Sequence, residues 1–245
     1  MRTTRRKLRI LVMLFVLVFT HSISSARIYF PNIRLFWSHS NSSIAETMNK
    51  YDKRQINHKF PGFLSYRKSS SVEPTVSDDA PDETFDFLSH ELIIGFGEED
   101  FKKANKLLLQ FRMINSLPWI SFKRSPHATS PIKEGENIGI LVKAYHVLWI
   151  LSPGRVTSVD REVRRARLLL SEVVFSTLEG HLITGEERFR VRKLSNGIVK
   201  FEIASFSKGS GVLGSLAMPF IRPLQRKFLL DATRNMRTLI NDSYD

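Results

Sequence analysis

The sequence predicts an α+β fold: a curved antiparallel β-sheet gripping a long C-terminal amphipathic helix. Three observations lead there. Between residues 119 and 206, strand-like runs follow one another with turn signals between them. From Leu213 onward, apolar residues recur at three- and four-residue steps as far as Leu239 or Ile240. One helical stretch precedes the strands, so helices and strands are segregated instead of alternating.

Each element has its own signal. Leu92-Ile93-Ile94-Gly95-Phe96-Gly97 reads as a short strand ending in glycines. Glu98 to Met113 spaces Phe101, Ala104, Leu107, Leu108 and Phe111, with Ile114 beyond, as one helix face. Glu98, Glu99 and Asp100 at its start suit the helix macrodipole. The predicted strands are Trp119–Phe122, Asn137–Leu151, Arg155–Val163, Leu168–Leu178, Glu186–Leu194 and Ile198–Phe206. Ser195-Asn196-Gly197 joins the last two, and Asn-Gly between alternating runs marks a hairpin. Pro153-Gly154 is expected to be a turn.

Alternation then sorts the hairpin into faces. Glu187, Phe189 and Val191, with Val199, Phe201 and Ile203, share the buried side. Arg188, Arg190, Arg192, Lys200 and Glu202 share the wet one. The closing helix carries Leu213, Leu216, Phe220, Leu224, Phe228, Ala232 and Met236 on one side, and Pro219 and Pro223 should kink it or delay its start. A sheet gripping such a helix leaves room for a cavity between them.

Composition bounds the rest. A chain of 245 residues, 42% hydrophobic and 25% charged, is not collagen-like, coiled-repeat or wholly disordered. The absence of cysteine excludes a disulfide framework, cysteine-ligated zinc, iron–sulfur clusters and thiol catalysis. The formal charge of +13 is unevenly laid out: residues 1–72 hold 13 Lys/Arg against two acids, while residues 73–100 hold ten acids and no Lys/Arg.

That layout divides the chain. Arg2, Arg5, Arg6, Lys7 and Arg9 precede an unbroken apolar run, Ile10–Phe19, and then Ser24-Ser25-Ala26. This is signal-peptide grammar, with residues 1–26 removed after Ala26. Ten helical residues rise only about 15 Å, against about 30 Å for a bilayer core. Residues 27–72 are basic, Ser-rich and acid-poor, which reads as a transit-like or disordered leader. Residues 73–90 form an acidic linker and 91–241 a single domain. The two-part leader points to the secretory pathway and a plastid reached through it; secretion is the alternative.

The folded segment resembles a family, the domain of unknown function nineteen-ninety. The resemblance covers about residues 91–240. It rests on Gly95-Phe96-Gly97, Met113–Trp119, Ser152-Pro153-Gly154-Arg155-Val156, Thr177-Leu178-Glu179-Gly180-His181, Gly185-Glu186-Glu187-Arg188-Phe189, Phe206-Ser207, and Pro219–Phe228 with Leu224-Gln225-Arg226. Three positions depart from its usual pattern. Gly154 stands where a cysteine is usual, Phe175-Ser176 replaces Tyr-Gly, and Ser207-Lys208-Gly209 replaces Ser-Arg-Pro. The resemblance implies a START-like, helix-grip fold, a superfamily whose members often hold hydrophobic small molecules or lipids. It implies no activity.

The polar candidates follow. Glu187 shares the apolar face with Phe189, and a buried carboxylate must be paired, protonated or ligand-bound. Arg155 is the expected partner. His181, Glu186 and Arg188 complete the constellation. Read structurally, the same residues form a salt bridge fixing the hairpin, with His181 closing a turn after Gly180. His146, mid-strand, reads as hydrogen-bonded structure. Trp119 and Phe201 are candidate pocket aromatics. No metal or cofactor is expected, since the seven histidines lack ligand spacing. The expected partner is a hydrophobic small molecule or lipid, with an anionic membrane surface a further candidate for the basic residues. Nucleic acid is not expected, as no stacking motif or recognition helix is present. A membrane-associated or pore-forming envelope protein is the alternative function. An enzyme of cyclase or hydrolase type is the second alternative.

Overall fold

Strand β7, Ile183–Lys193, is the spine of the molecule, paired with β8 along its full length and with β6 from Glu186 to Lys193. The computed structural model describes residues 33–35, 41–65, 84–124, 128, 131–144, 148–165 and 168–242. In chain order the elements are β1 (Ile33–Leu35), α1 (Asn41–Asn49), β2 (Asp86–Phe96), α2 (Gly97–Leu109), α3 (Arg112–Asn115), β3 (Ile120–Arg124), β4 (Asn137–Ala144), β5 (Leu148–Arg165), β6 (Leu168–Thr177), β7, β8 (Ile198–Gly209) and α4 (Gly211–Asn241). The strands form one antiparallel sheet in the order β2-β8-β7-β6-β5-β4-β3, with β1 pairing β5 at residues 148–150. No helix among the described residues is long and apolar enough to cross a membrane.

The sheet and its long C-terminal helix are the predicted helix-grip arrangement. Its inner face carries α2, α3 and α4. Phe101, Leu108, Phe111, Phe122, Phe189, Phe201, Ile203 and Met236 join one core there. Phe111 stacks on Phe122 with centroids 3.7 Å apart and rings 3° from parallel. Burying an apolar side chain of this size contributes roughly 1.5–3 kcal/mol. That sets the grip of the sheet on α4.

Several boundaries differ from expectation. Pro153-Gly154 is not a turn: β5 runs through it, pairing Pro153 with Gly139 and Gly154 with both Ile138 and Thr177. Pro153 lies just beyond the end of the β6 pairing, where a missing N–H costs the ladder least. The expected strand 137–151 is instead two, β4 and the start of β5. The expected helix 98–113 breaks at Phe111, whose φ of 51° ends α2 and starts α3. Strand β2 begins at Asp86, inside the segment expected as an acidic linker.

Helix α4 starts at Gly211, ahead of both prolines, so neither delays it. Its first buried residues are Gly214 and Ala217, while Leu216 is exposed. A Cβ on Gly214 would stand 2.2 Å from the Leu182 carbonyl, so a glycine there lets the helix start dock directly on the loop before β7.

The outer face is not wet. Residues 41–65, inside the segment expected as a disordered leader, lie across it as a strap. Ile44, Met48 and Tyr51 pack with Leu141, Leu151 and Leu178. Leu64 packs with Phe85, Val174 and Phe206. Gly139 makes room for α1: a Cβ there would lie 2.7 Å from the Met48 sulfur. Under the strap Arg188 and Arg190 are buried, 7% and 2% exposed. Alternation placed them on the correct side, but the strap displaces the water expected over them. Residues 1–26 and 73–83 of the predicted organisation fall outside the described residues.

Candidate functional site

Between the inner face and α4 lies a cavity of about 140 Å³. Its walls are largely apolar: Ile120, Ile140, Val142, Ile150 and Phe175 from the strands, Ile221, Leu224 and Phe228 from the helix. Both prolines lie next to this stretch of α4. Each removes one helical hydrogen bond there.

Glu187 and His181 line this cavity. Glu187 sits on β7 between Phe175 of β6 and Ser205 of β8. No side chain among the described residues hydrogen-bonds its carboxyl. Burial pushes that carboxyl up to about 8, because an apolar enclosure disfavours the charged form. His181 follows the turn at Gly180. Its amide donates to the Leu178 carbonyl at 3.1 Å, and its Nδ1 accepts from the Ile183 amide at 3.0 Å. Burial pulls its pKa down to about 4. Both groups are therefore uncharged at neutral pH.

Trp119 forms part of the wall. Its Nε1 donates to Asp231 at 3.0 Å, and the Lys227 ammonium sits 4.5 Å over its ring. Ser152, Ser205, Ser207 and Gln225 add polar atoms. Ser207 and Gln225 are engaged: Arg222 donates to both at 2.8 Å, and Gln225 donates to Ser207 at 3.2 Å. The Ser205 hydroxyl is buried with no hydrogen-bond partner among the described residues.

The remaining predicted residues lie elsewhere. The backbone of β7 places Glu186 at the cavity wall, but its carboxylate is on the outer face. There it accepts from the amides of Gly62 and Leu64 at 2.5 and 2.8 Å, and from the hydroxyls of Ser176 and Thr157 at 2.8 and 3.2 Å. Burial pushes this carboxyl up, while the four donors hold it back.

Arg155 does not meet Glu187. It lies on the outer face, donating to Asn137 at 2.8 Å and to the Arg54 carbonyl at 3.0 Å, with Tyr51 and Asp52 carbonyls at 3.4 Å. Arg188 donates to the Leu64 carbonyl at 2.9 Å and to Glu202 at 2.7 Å, again beneath the strap. Phe201 is fully buried in the core and does not reach the cavity. His146 lies outside the described residues.

Two features were missed. Ser205 carries a legible signal, since alternation from Phe201 and Ile203 puts it on the inner face beside Glu187. The Glu172–Arg190 pair beneath the strap, bonded at 2.7 Å and joined by Ser65 at 3.3 Å, has no such signal. It becomes a buried pair only once the strap is in place.

Comparison with known proteins adds the following. Residues 68–235 match the family described as domain of unknown function (DUF1990). A UPF0548 protein of Arabidopsis thaliana is 27% identical over 201 residues, covering 81% of this chain and 93% of its own. A span of 81% does not fit within residues 68–245, so that similarity begins upstream of the family match, within the strap or before it. A UPF0548 protein of Dictyostelium discoideum is 33% identical over 162 residues, covering 62% of this chain and 71% of its own. Among solved structures, a hypothetical protein of Helicobacter pylori aligns with a TM-score of 0.44 at 15% identity, covering 62% of this chain and 88% of that one. The protein Ara h 8.0201 aligns with a TM-score of 0.43 at 9% identity, covering 64% and 99%.

Proposed function

The chain belongs to the domain of unknown function (DUF1990) family, which supplies no chemistry of its own, and from the geometry of this member we propose that it binds a small hydrophobic or amphipathic molecule between sheet and α4. The observation that carries this reading is the cavity. It is enclosed mainly by aliphatic and aromatic side chains, yet Glu187 and His181 line it. A few polar groups in an apolar concavity are the usual composition of a small-molecule site. A volume of about 140 Å³ is close to that of an engineered apolar cavity, about 150 Å³, that takes up benzene. The occupant is therefore a small ring or short chain, or a longer molecule that reaches out past α4.

Native mass spectrometry of the purified full chain, without detergent, tests this. A discrete added mass that disappears in Leu224→Trp, where an indole fills the space, is the expected result. An unliganded chain across several expression hosts, together with no stabilisation by small aromatic or aliphatic compounds, sinks the reading.

A further inference from the structure

The cavity's polar atoms say which kind of ligand end it takes. Glu187 and Ser205 are directly opposed residues of β7 and β8. Directly opposed side chains on one sheet face have Cβ atoms about 4.5–5.5 Å apart. Both line the cavity, Ser205 is 5% exposed, and its hydroxyl meets no hydrogen-bond partner among the described residues. A buried hydroxyl and a neighbouring half-buried carboxyl left unmatched on one face are a cost that a ligand would remove.

The third inward group has a fixed polarity. Because the Nδ1 of His181 accepts from the Ile183 amide, the neutral ring carries its hydrogen on Nε2. Of the other polar side chains of the wall, Ser207 and Gln225 are engaged with Arg222, and Thr177 with Asn57. The groups left for a ligand are thus the His181 imidazole, the hydroxyls of Ser205 and, across the sheet on β5, Ser152, and the Glu187 carboxyl.

Resting on the reading that this cavity binds a small molecule, we propose that Glu187 and Ser205 together hold a hydrogen-bond acceptor, the carbonyl oxygen of a ketone, ester or carboxyl-bearing ligand. In an apolar enclosure the carboxyl is protonated at neutral pH and donates its hydrogen, with the serine hydroxyl as second donor. A cationic ligand would instead require an ionised Glu187, which the enclosure opposes, and would face the His181 N–H. The charged groups around the site do not alter this. His181 is the other titratable residue that lines the cavity besides Glu186 and Glu187. Glu186 turns its carboxylate outward, Asp231 accepts from Trp119, and Arg222 pairs with Asp86.

The test uses three probes of near-equal size: acetophenone, 1-phenylethylamine and ethylbenzene. Their affinities for the full chain are measured between pH 6 and 9. The expected order at pH 7 places acetophenone about tenfold ahead of ethylbenzene, the equivalent of one good hydrogen bond. Acetophenone binding should weaken above pH 8 in the wild type. Glu187→Gln, whose amide still donates but does not titrate, should keep the binding and lose the pH dependence. Ser205→Ala should weaken acetophenone and leave ethylbenzene unchanged, which also shows that the variant is folded.

Equal affinities for acetophenone and ethylbenzene would overturn the anchor while leaving the cavity reading intact. Tightest binding of the amine, abolished by Glu187→Gln, would overturn it in favour of a carboxylate counter-ion. Binding of none of the three would remove both the anchor and the cavity reading beneath it.

Discussion

Glu186 and Glu187 are consecutive in β7 and serve opposite sides of the sheet. The Glu186 carboxylate is held by the amides of Gly62 and Leu64 under the strap, while the Glu187 carboxyl faces the cavity with no hydrogen-bond partner among the described residues. The pleat of one strand places a structural acid and a candidate ligand-binding acid one residue apart. They should therefore respond differently to the same substitution.

For Glu187 the sign follows from its raised folded-state pKa, about 8 against an ordinary 4.5. The neutral form is the one the fold tolerates, so stability is fully present below pH 4.5 and is lost as pH rises to 8. Glu187→Gln should match the wild type at pH 4.5, melt progressively higher toward pH 8, and keep a constant advantage beyond. At this chain length, each kcal/mol corresponds to about 2–4 °C in Tm. Calorimetric melting at four pH values measures it, and a pH-independent difference would show that the carboxyl does not titrate across this range.

His181 runs the other way. Its folded-state pKa is lowered to about 4 from 6.5, so stability is present above pH 6.5 and is lost as pH falls toward 4. His181→Asn keeps an acceptor for the Ile183 amide and does not titrate. It should gain on the wild type only below pH 6.5. Urea midpoints at pH 7 and pH 4.5 read this, and an equal gap at both would contradict it.

Glu186→Ala should free the strap. Two buried amides lose their acceptor, at about 1–3 kcal/mol each if neither finds another. Trypsin should then cut at Lys50, Lys53, Arg54 or Lys59 well before it cuts the sheet. Glu187→Gln should leave that rate unchanged. Strap cleavage equally fast in both variants would mean that Glu186 does not dock it.

Beneath the strap, Glu172 and Arg190 form an almost wholly buried ion pair, 0% and 2% exposed. Removing one partner strands the other charge, so Arg190→Met alone should cost about 3–5 kcal/mol. The double substitution Glu172→Leu/Arg190→Met should recover much of that. Chemical denaturation of both variants and the wild type closes the cycle. A double variant no better than the single would show that the surrounding serines, and not the pair, set the cost.

Much of the inner half of this molecule is legible in the sequence. The Asn196-Gly197 turn fixes the β7–β8 register, so strict alternation assigns Glu187, Phe189, Phe201 and Ser205 to one face. The helical spacing from Phe228 to Ile240 does the same for α4. The outer half is not legible, because the apolar residues by which the strap docks, Ile44, Met48, Tyr51 and Leu64, follow no sustained period, and part of its docking is through the backbone. Gly62 and Leu64 offer amides, and Tyr51, Asp52, Arg54 and Leu64 offer carbonyls, none of which leaves a mark in side-chain pattern. Without the strap, Arg188 and Arg190 look like solvated cations, and Arg155 looks like a partner for Glu187.

The strap also limits how the chain can be shortened. A proteolytic maturation that stopped at the acidic segment would discard the residues that hydrogen-bond Glu186 and Arg188 and cover Val174 and Phe206. The product would expose an unmatched sheet and would be expected to aggregate. A cut upstream of Asn41 would leave every one of these contacts in place. The first amino acid of the mature polypeptide, read by terminal sequencing, then reports whether the fold or the leader sets that boundary.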